Sequence, residues 1–385
     1  MADARIWIAL AALLVLAAGC LSRGINSAFA PLCAVGGTVL WFTLWGCFGL
    51  LQLGGYLYYV LVVLVLALLV YRHGIKRAAL PRVGAGFWFF AATSVVAMLL
   101  LAHSQPQFIS WDEFSLWGTA VKLTKLYNQT YSAAPVGWGW PATHPPAFIN
   151  MGYFFQFFGA GFAPWQVHAA GNVFQFAALA ALLYPFEKRG WNAAVPLSIA
   201  ALLVPYLLVH YTGARIPSPV YMTALPDIAC GLWFAAGLAC GLARPKTAAG
   251  MVPLCICLAM LTLTKDLTGL LLALVVVGVL LLDAALGGGA HKGAKAAAVR
   301  VLRRCAAPLA SVLAAYMGWS VYLGATLQVD RTNLGGTGEF SMFAAPFVFF
   351  KDLFAPVKSE YFTTVTGGMV DTFFKVNTTL LGTGA

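Results

Sequence analysis

Long apolar runs follow one another along most of the chain, separated by short polar breaks and one much longer break. Each run is long enough for a helix that crosses a hydrocarbon core of about 30 Å. Strands of a membrane barrel would alternate between apolar and polar positions over about ten residues, and these runs do not. The pattern therefore predicts an all-α polytopic membrane protein.

The runs predict about ten transmembrane helices. Their approximate bounds are residues 6–22, 31–50, 54–71, 84–103, 165–186, 192–211, 226–243, 250–264, 267–285 and 306–325. The eighth and ninth runs nearly touch, so they form either one broken helix or a tight hairpin. The first run lacks a small-residue cleavage site, and we interpret it as a retained helix rather than a signal peptide.

No polar linker divides the chain, so we predict a single polytopic domain with three parts. Residues 1–83 form N-terminal transmembrane helices, and residues 84–325 form a transmembrane core that includes an outer loop at 104–164. Residues 326–385 form a tail at the outer face. The tail ends without a further span, which indicates a chain truncated before additional helices.

Composition supports a membrane protein and excludes several other classes. Hydrophobic residues make up 61% of the chain and charged residues only 9%, whereas soluble domains are about 25% charged. The eight cysteines are scattered in or beside apolar runs, so they predict small core residues and no metal or disulfide framework.

The net charge of +11 has a topological explanation, so we predict no nucleic-acid partner. Most Lys and Arg residues lie in short breaks at 72–82, 187–189, 243–246 and 291–304. These breaks fall on one side if the helices alternate, and the positive-inside rule makes that side cytoplasmic. The long loop then faces the periplasm or the cell exterior, and we expect the membrane to be a bacterial inner (plasma) membrane. This topology also places the short N-terminus outside.

Within the long loop, residues 111–127 predict an amphipathic helix that lies in the membrane interface. The polar face carries Asp112, Ser115, Thr119 and Lys122, and the apolar face carries Phe114, Trp117 and Val121. Trp111 and Trp117 are expected at headgroup level. The polar face would look into the cavity of the helix bundle.

Asp112 and Glu113 stand where this helix begins. Adjacent residues do not share a helix face, so different tasks are expected for them rather than an acid/base pair. The helix pattern favours Asp112 as the residue that faces the cavity. The structural alternative is that Asp112 caps the helix, with Ser110 as a competing cap.

A second polar signal lies at Thr143 to Phe148, where the sequence reads THPPAF. The two prolines fix an extended entry to the next helix and would place His144 beside the acidic pair. Between the two signals, Trp138 and Trp140 lie in a glycine-rich segment. They predict either a stacking surface for sugar rings or an interfacial anchor.

This arrangement resembles the first outer loop of GT-C glycosyltransferases, such as the protein O-mannosyltransferases and the lipid A aminoarabinose transferases. The resemblance rests on Asp112, Glu113 and the HPP sequence that begins at His144, followed by a helix ending in FFG. It implies a GT-C-like core and an active site at one acidic residue of the pair. The chain departs from many relatives at Asn172, where they carry an arginine.

Three further polar residues are predicted at the outer face. Asp227 follows a proline at a helix start, so it either caps that helix or faces Asp112 across the cavity. Asp112 and Asp227 together are possible ligands of a divalent cation, and the sequence predicts no other cofactor. Arg215 and Lys265 are candidate ligands of a lipid phosphate, although Lys265 and Asp266 also fit a local turn pair.

The leading interpretation is a membrane glycosyltransferase that takes a sugar from a polyprenyl-phosphate donor. The acceptor is a glycan, lipid or protein at the outer face, and we expect inversion with Asp112 as base and Glu113 in support. Lys122 and His144 are expected to contact substrate. The alternatives are a transporter or flippase, disfavoured because the helix centres hold few ionisable residues, and a surface polysaccharide polymerase or ligase.

Overall fold

The computed structural model is helical, with no β-strand in the residues it describes. It describes residues 5–79, 81–134, 143–189, 191–211, 220–221, 223–243, 245, 247–286, 294–326 and 355–356. The helices are α1 (Ile6–Ser22), α2 (Ala30–Cys47), α3 (Leu51–Leu69), α4 (Ala85–Ser104), α5 (Gly118–Tyr127), α6 (Ala147–Gln156), α7 (Pro164–Leu182), α8 (Trp191–Tyr211), α9 (Pro226–Leu242), α10 (Ala248–Thr262), α11 (Asp266–Leu286) and α12 (Ala294–Thr326).

In the part of the chain that the structure describes, five helical segments are long and apolar enough to cross a membrane. They are Ala30–Cys47, Leu51–Ile75, Ala85–Ser104, Asp266–Leu286 and Ala298–Thr326. Other apolar helices, such as α1 and α10, coincide with predicted spans but are shorter. At 1.5 Å per residue, a helix of about 16 residues covers about 24 Å, less than a core of about 30 Å. The segments are compatible with an integral membrane protein, and the count of ten spans stays a prediction.

Helix α7 lies in the middle of the bundle and packs against α2, α4, α6 and α9. Its buried side chains include polar ones, among them Gln166, His168, Asn172 and Gln175, so it is a core helix with polar contacts to make. All ten residues of α6 are also buried. Helix α6, which lies within the predicted outer loop at residues 104–164, is therefore packed into the bundle.

Two ends of the bundle can be distinguished by their contacts. At the first, which we call the basic end, Arg72 donates to the Ser22 carbonyl at 3.2 Å and the Gly84 N–H donates to Ser27 Oγ at 2.7 Å. Glu187 accepts from the Gly86 N–H at 3.4 Å there. These contacts join the breaks after α1, after α3 and after α7, which the alternation of helices predicts on one side.

At the other end, which we call the loop end, lie the residues before α5, the HPP segment and the starts of α9 and α11. The N-terminus belongs to this end as well, because Arg5 donates to the carbonyl of Phe158 at 2.9 Å. The predicted placement of the N-terminus on the side of the long loop agrees with this contact. The chemistry described below is concentrated at the loop end.

Helices α10 and α11 form a hairpin rather than one broken helix. A Cβ atom on Gly269 would stand only 2.2 Å from the carbonyl oxygen of Leu261, although eight positions along one helix would separate the two residues by about 12 Å. The chain therefore reverses across the three residues between the helices. Gly269 is required where the two backbones approach each other.

Replacing Gly269 by Ala is expected to lower stability by about 1–3 kcal/mol, because the hairpin has to open to admit the methyl group. Thermal unfolding of the purified protein measures this change. Gly278→Ala is the matched control on the same helix, since nothing lies within 4 Å of a Cβ there. Equal melting temperatures for the two variants would contradict the close approach.

Glu187 at the basic end is expected to make the stability of the protein depend on pH. Burial raises the pKa of its carboxyl group, and hydrogen bonds from the Gly86 N–H and from the Asn26 and Ser27 side chains offset this only in part. A carboxyl whose pKa is raised in the folded state favours folding at low pH, and that contribution is lost as pH rises through the folded pKa.

Glu187→Gln is therefore expected to melt at a higher temperature than the wild type at neutral pH, because the amide keeps an acceptor without a desolvated charge. The difference should shrink as pH falls toward the ordinary glutamate range. Melting curves of both proteins across this pH range measure the effect. A difference that grows on acidification would show that the sign is wrong.

Candidate functional site

Glu113 is the buried member of the acidic pair, with 1% of its surface exposed. One carboxylate oxygen accepts hydrogen bonds from the N–H groups of Ile109 and Ser110, both at 2.9 Å. The other accepts from the N–H of Ala224 at 2.7 Å. Three backbone donors thus replace the water that this carboxylate lacks. Glu113 joins the start of the loop helix to the segment before α9.

Asp112 has the opposite environment. Its side chain is exposed, and it makes no capping hydrogen bond although it precedes the helical turn. Within the described part of the chain its carboxylate has neither a hydrogen bond nor an ion pair. The capping alternative for Asp112 is therefore not realised, and the carboxylate is open to a ligand.

A π-helical turn at Glu113–Trp117 separates the two acids and changes the predicted helix faces. A π turn accommodates an extra residue, so the faces before and after it are rotated relative to each other. Phe114, predicted on the apolar face, is 46% exposed, whereas Trp117 is buried with 4% exposed. Phe114 and Trp117, predicted on one apolar face, therefore have different environments, and the depth of Trp117 relative to the headgroups stays a prediction. Val121, predicted on the same apolar face, is buried in the protein.

His144 is held by three neighbours. Its Nδ1 lies 2.7 Å from a carboxylate oxygen of Asp266, its backbone carbonyl accepts from the Tyr131 hydroxyl, and its ring lies against Trp117 with centroids 4.9 Å apart. Trp319 also donates to the Thr143 carbonyl at 3.4 Å. The HPP segment is therefore fixed to α11, to α12 and to the π turn.

Tyr131 is buried, and its hydroxyl contacts the backbone of His144. Burial raises the pKa of this phenol well above its usual range, and the negative Asp266 carboxylate adds to the shift. The hydroxyl group therefore stays protonated and donates to the His144 carbonyl. Through this hydrogen bond, the short helical turn at Tyr131–Ala133 fixes the backbone of His144.

Lys265 and Asp227 form an ion pair across the starts of α9 and α11. Their side chains are 30% and 56% exposed, respectively. Lys265 pairs with Asp227 while its neighbour Asp266 pairs with His144, so the local Lys265–Asp266 turn pair considered above is not formed. The exposed side of the Lys265 ammonium is available to an anionic group.

Tyr221, which precedes α9, is hydrogen-bonded to α7. Asn172 Nδ2 donates to the Tyr221 carbonyl at 2.8 Å, in addition to the bond between Glu113 and Ala224. The residue that departs from the GT-C pattern therefore has a structural contact of its own. Together the two bonds fix the approach of the chain to Asp227.

His168 is a residue that sequence reasoning missed. Its ring is 1% exposed, lies edge-on to Phe108 with centroids 5.4 Å apart, and interacts electrostatically with Glu113. Asp266 and Tyr131 were not recognised as partners of His144 either. No local pattern identifies these residues, because their partners lie far away along the chain.

The remaining predicted site residues divide into two groups. Lys122 lies on the exposed face of α5 and has no hydrogen bond or ion pair within the described residues. Trp138, Trp140 and Arg215 lie outside the described residues, so the structure places none of them beside the site.

The described residues contain no preformed binding site for a divalent cation. Within them, no group of three or more His, Cys, Asp or Glu side chains is arranged to hold a metal ion. Of the two acids proposed for this role, Asp227 is already paired with Lys265.

Comparisons with protein-family models, with curated proteins and with solved structures found no match to this chain.

The two acids are predicted to respond differently to amide substitution. Glu113→Gln should lower stability by about 1–3 kcal/mol, because its single acceptor oxygen cannot serve three N–H groups and its NH₂ group would face a donor. Asp112→Asn should change stability by no more than about 0.5 kcal/mol, as expected for an exposed side chain.

Thermal unfolding of the three proteins in the same detergent measures this contrast. Limited proteolysis should also cut Glu113→Gln faster between residues 220 and 225, where Ala224 loses its partner. A larger loss of stability in Asp112→Asn than in Glu113→Gln would contradict the described geometry.

Proposed function

We propose that this protein is a membrane glycosyltransferase that transfers a sugar from a polyprenyl-phosphate donor to a hydroxyl group of an acceptor. The acceptor is a glycan, a lipid or a protein at the loop end of the bundle. The main support is the exposed Asp112 carboxylate, which has no partner among the described residues. Its neighbour Glu113 is hydrogen-bonded to Ala224, three positions before Asp227, which pairs with Lys265.

The distribution of ionisable groups supports a reaction at a surface. Asp112, Asp227, Lys265 and Asp266 all lie at helix starts or in the turns that precede them. A transport pathway would be expected to place such groups at the middle of the membrane. The pattern therefore favours chemistry at the loop end over passage through the bundle.

Asp112 is the proposed base. It accepts the proton of the acceptor hydroxyl, whose oxygen then attacks the anomeric carbon of the sugar. The bond between that carbon and the phosphate oxygen breaks, and the polyprenyl phosphate leaves with the bonding electrons. Attack from the face opposite the leaving group inverts the configuration at the anomeric carbon.

Lys265 is the proposed partner of the departing phosphate, since its ammonium is partly exposed and lies at the loop end, directly before α11. A cation placed where negative charge develops lowers the barrier to departure. Glu113 and His144 are proposed as positioning residues. Their hydrogen bonds are made within the protein, to Ala224 and Asp266 respectively.

The proposal predicts that Asp112→Asn loses transfer activity by about 100-fold or more, the contribution of a general base, without loss of folding. The assay incubates purified protein in lipid nanodiscs with a panel of radiolabelled polyprenyl-phosphate sugars and follows donor hydrolysis or sugar transfer. Glu187→Gln is the matched control, because it neutralises an acid at the basic end, away from the proposed site.

Full activity of Asp112→Asn would remove Asp112 from the mechanism. If no donor in the panel is bound or cleaved by the wild type, the glycosyltransferase proposal fails. Uptake of the same lipid-linked sugars into proteoliposomes then tests the transporter alternative directly.

A further inference from the structure

A groove of 360 Å³ lies among α1, α2 and α3, away from the loop end. Its length can be judged from α3, which lines it from Tyr58 to Leu69 and thus over about 16 Å at 1.5 Å per residue. The wall is mainly aliphatic and includes Leu16, Ala34, Leu61, Val65 and Leu68. It has the dimensions and the surface of a site for a hydrocarbon chain.

The polar groups in the groove wall are already satisfied by the protein. The Tyr58 hydroxyl hydrogen-bonds Thr38 at 2.7 Å, and Trp41 Nε1 donates to the Gly54 carbonyl at 2.7 Å. Ser22 Oγ donates to the Gly19 carbonyl at 2.8 Å. A ligand inside the groove therefore meets apolar surface, which disfavours a hydrophilic occupant.

The groove ends at basic side chains. Arg23 lines it, is exposed, and has no hydrogen bond or ion pair within the described residues. Arg72 stands beside it, since it donates to the carbonyl of Ser22 at 3.2 Å. Among the described residues, no acidic side chain lines the groove. An apolar channel with cationic groups at its membrane-surface end is complementary to an anionic lipid.

A neighbouring cavity at the basic end provides a contrast. It measures 590 Å³, and its lining includes both Arg82 and Glu187. The carboxylate of Glu187 would repel a phosphate group, so this cavity is less suited to an anionic headgroup. Of these two sites, the groove is the one whose described lining combines an apolar wall with a basic side chain and no acidic one.

We propose that the groove binds one acyl chain of an anionic phospholipid, with the lipid phosphate held by Arg23 and Arg72. The lipid comes from the leaflet at the basic end of the bundle. It would fill the space between α3 and the α1–α2 pair and so fasten α3 to the bundle. This proposal does not rest on the glycosyltransferase function, because the groove and the loop end share no lining residue.

Gly37 offers a direct way to block the groove. It lines the cavity, and nothing lies within 4 Å of a Cβ built on it. Gly37→Leu therefore projects a side chain into the space for the acyl chain without striking the protein. Gly278→Leu is the matched control, since its Cβ also meets nothing within 4 Å and it lies outside the groove.

The experiment titrates delipidated, detergent-solubilised full-length chain with phosphatidylglycerol and follows binding by native mass spectrometry. We expect one lipid retained by the wild type and by Gly278→Leu, and affinity lower by about tenfold or more in Gly37→Leu, as for an overfilled site. Melting temperatures without added lipid verify that both variants fold.

Arg23→Gln tests the headgroup contact separately, on an exposed residue whose loss does not disturb packing. It should weaken phosphatidylglycerol binding by about fivefold, the effect of one basic residue beside an anionic lipid, and leave phosphatidylcholine binding unchanged. Unaltered lipid binding by Gly37→Leu, or equal binding of both lipids by the wild type, would overturn the proposal. Displacement of the phospholipid by equimolar polyprenyl phosphate would instead assign the groove to the donor lipid.

Discussion

The carboxylate of Glu113 connects parts of the chain that would otherwise be independent. A buried carboxyl group costs free energy unless hydrogen bonds replace its hydration, and here three backbone N–H groups do so. Two of them belong to the turn before the π helix and the third belongs to Ala224, 111 positions later in the chain. The positions of Asp112 and of the start of α9 both depend on this group.

The π turn makes this arrangement possible. In a regular α-helix that began at Trp111, the polar face would contain Asp112, and the apolar face would contain Phe114 and Trp117. The additional residue in the π turn rotates the helix start, so that Glu113 and Trp117 are buried while Phe114 is exposed. One adjacent acid thus supports the loop, and the other remains open to a ligand.

The sequence predicts the helices much better than it predicts the site. Run length locates most of the apolar helices within a few residues, because burial in lipid or protein requires an apolar stretch whatever its partners. The exception is α12, which begins at Ala294 rather than at residue 306. Run length does not separate spanning helices from buried ones, as α7 shows. The bonds of His144 to Asp266 and of Glu113 to Ala224 cross more than a hundred positions. No local periodicity reports such contacts, and no sequence rule marks the π turn that selects which acid is buried.

The start of α11 shows how these long-range contacts become coupled. Lys265 and Asp266 are adjacent, yet one pairs with Asp227 at the start of α9 and the other with His144 before α6. The partly exposed Lys265 ammonium has three donors, so a ligand anion can contact it while the pair with Asp227 is kept. The close approach of α10 and α11 at Gly269 holds both residues at the loop end. Two adjacent residues at the start of α11 thus connect the start of α9 with the HPP segment.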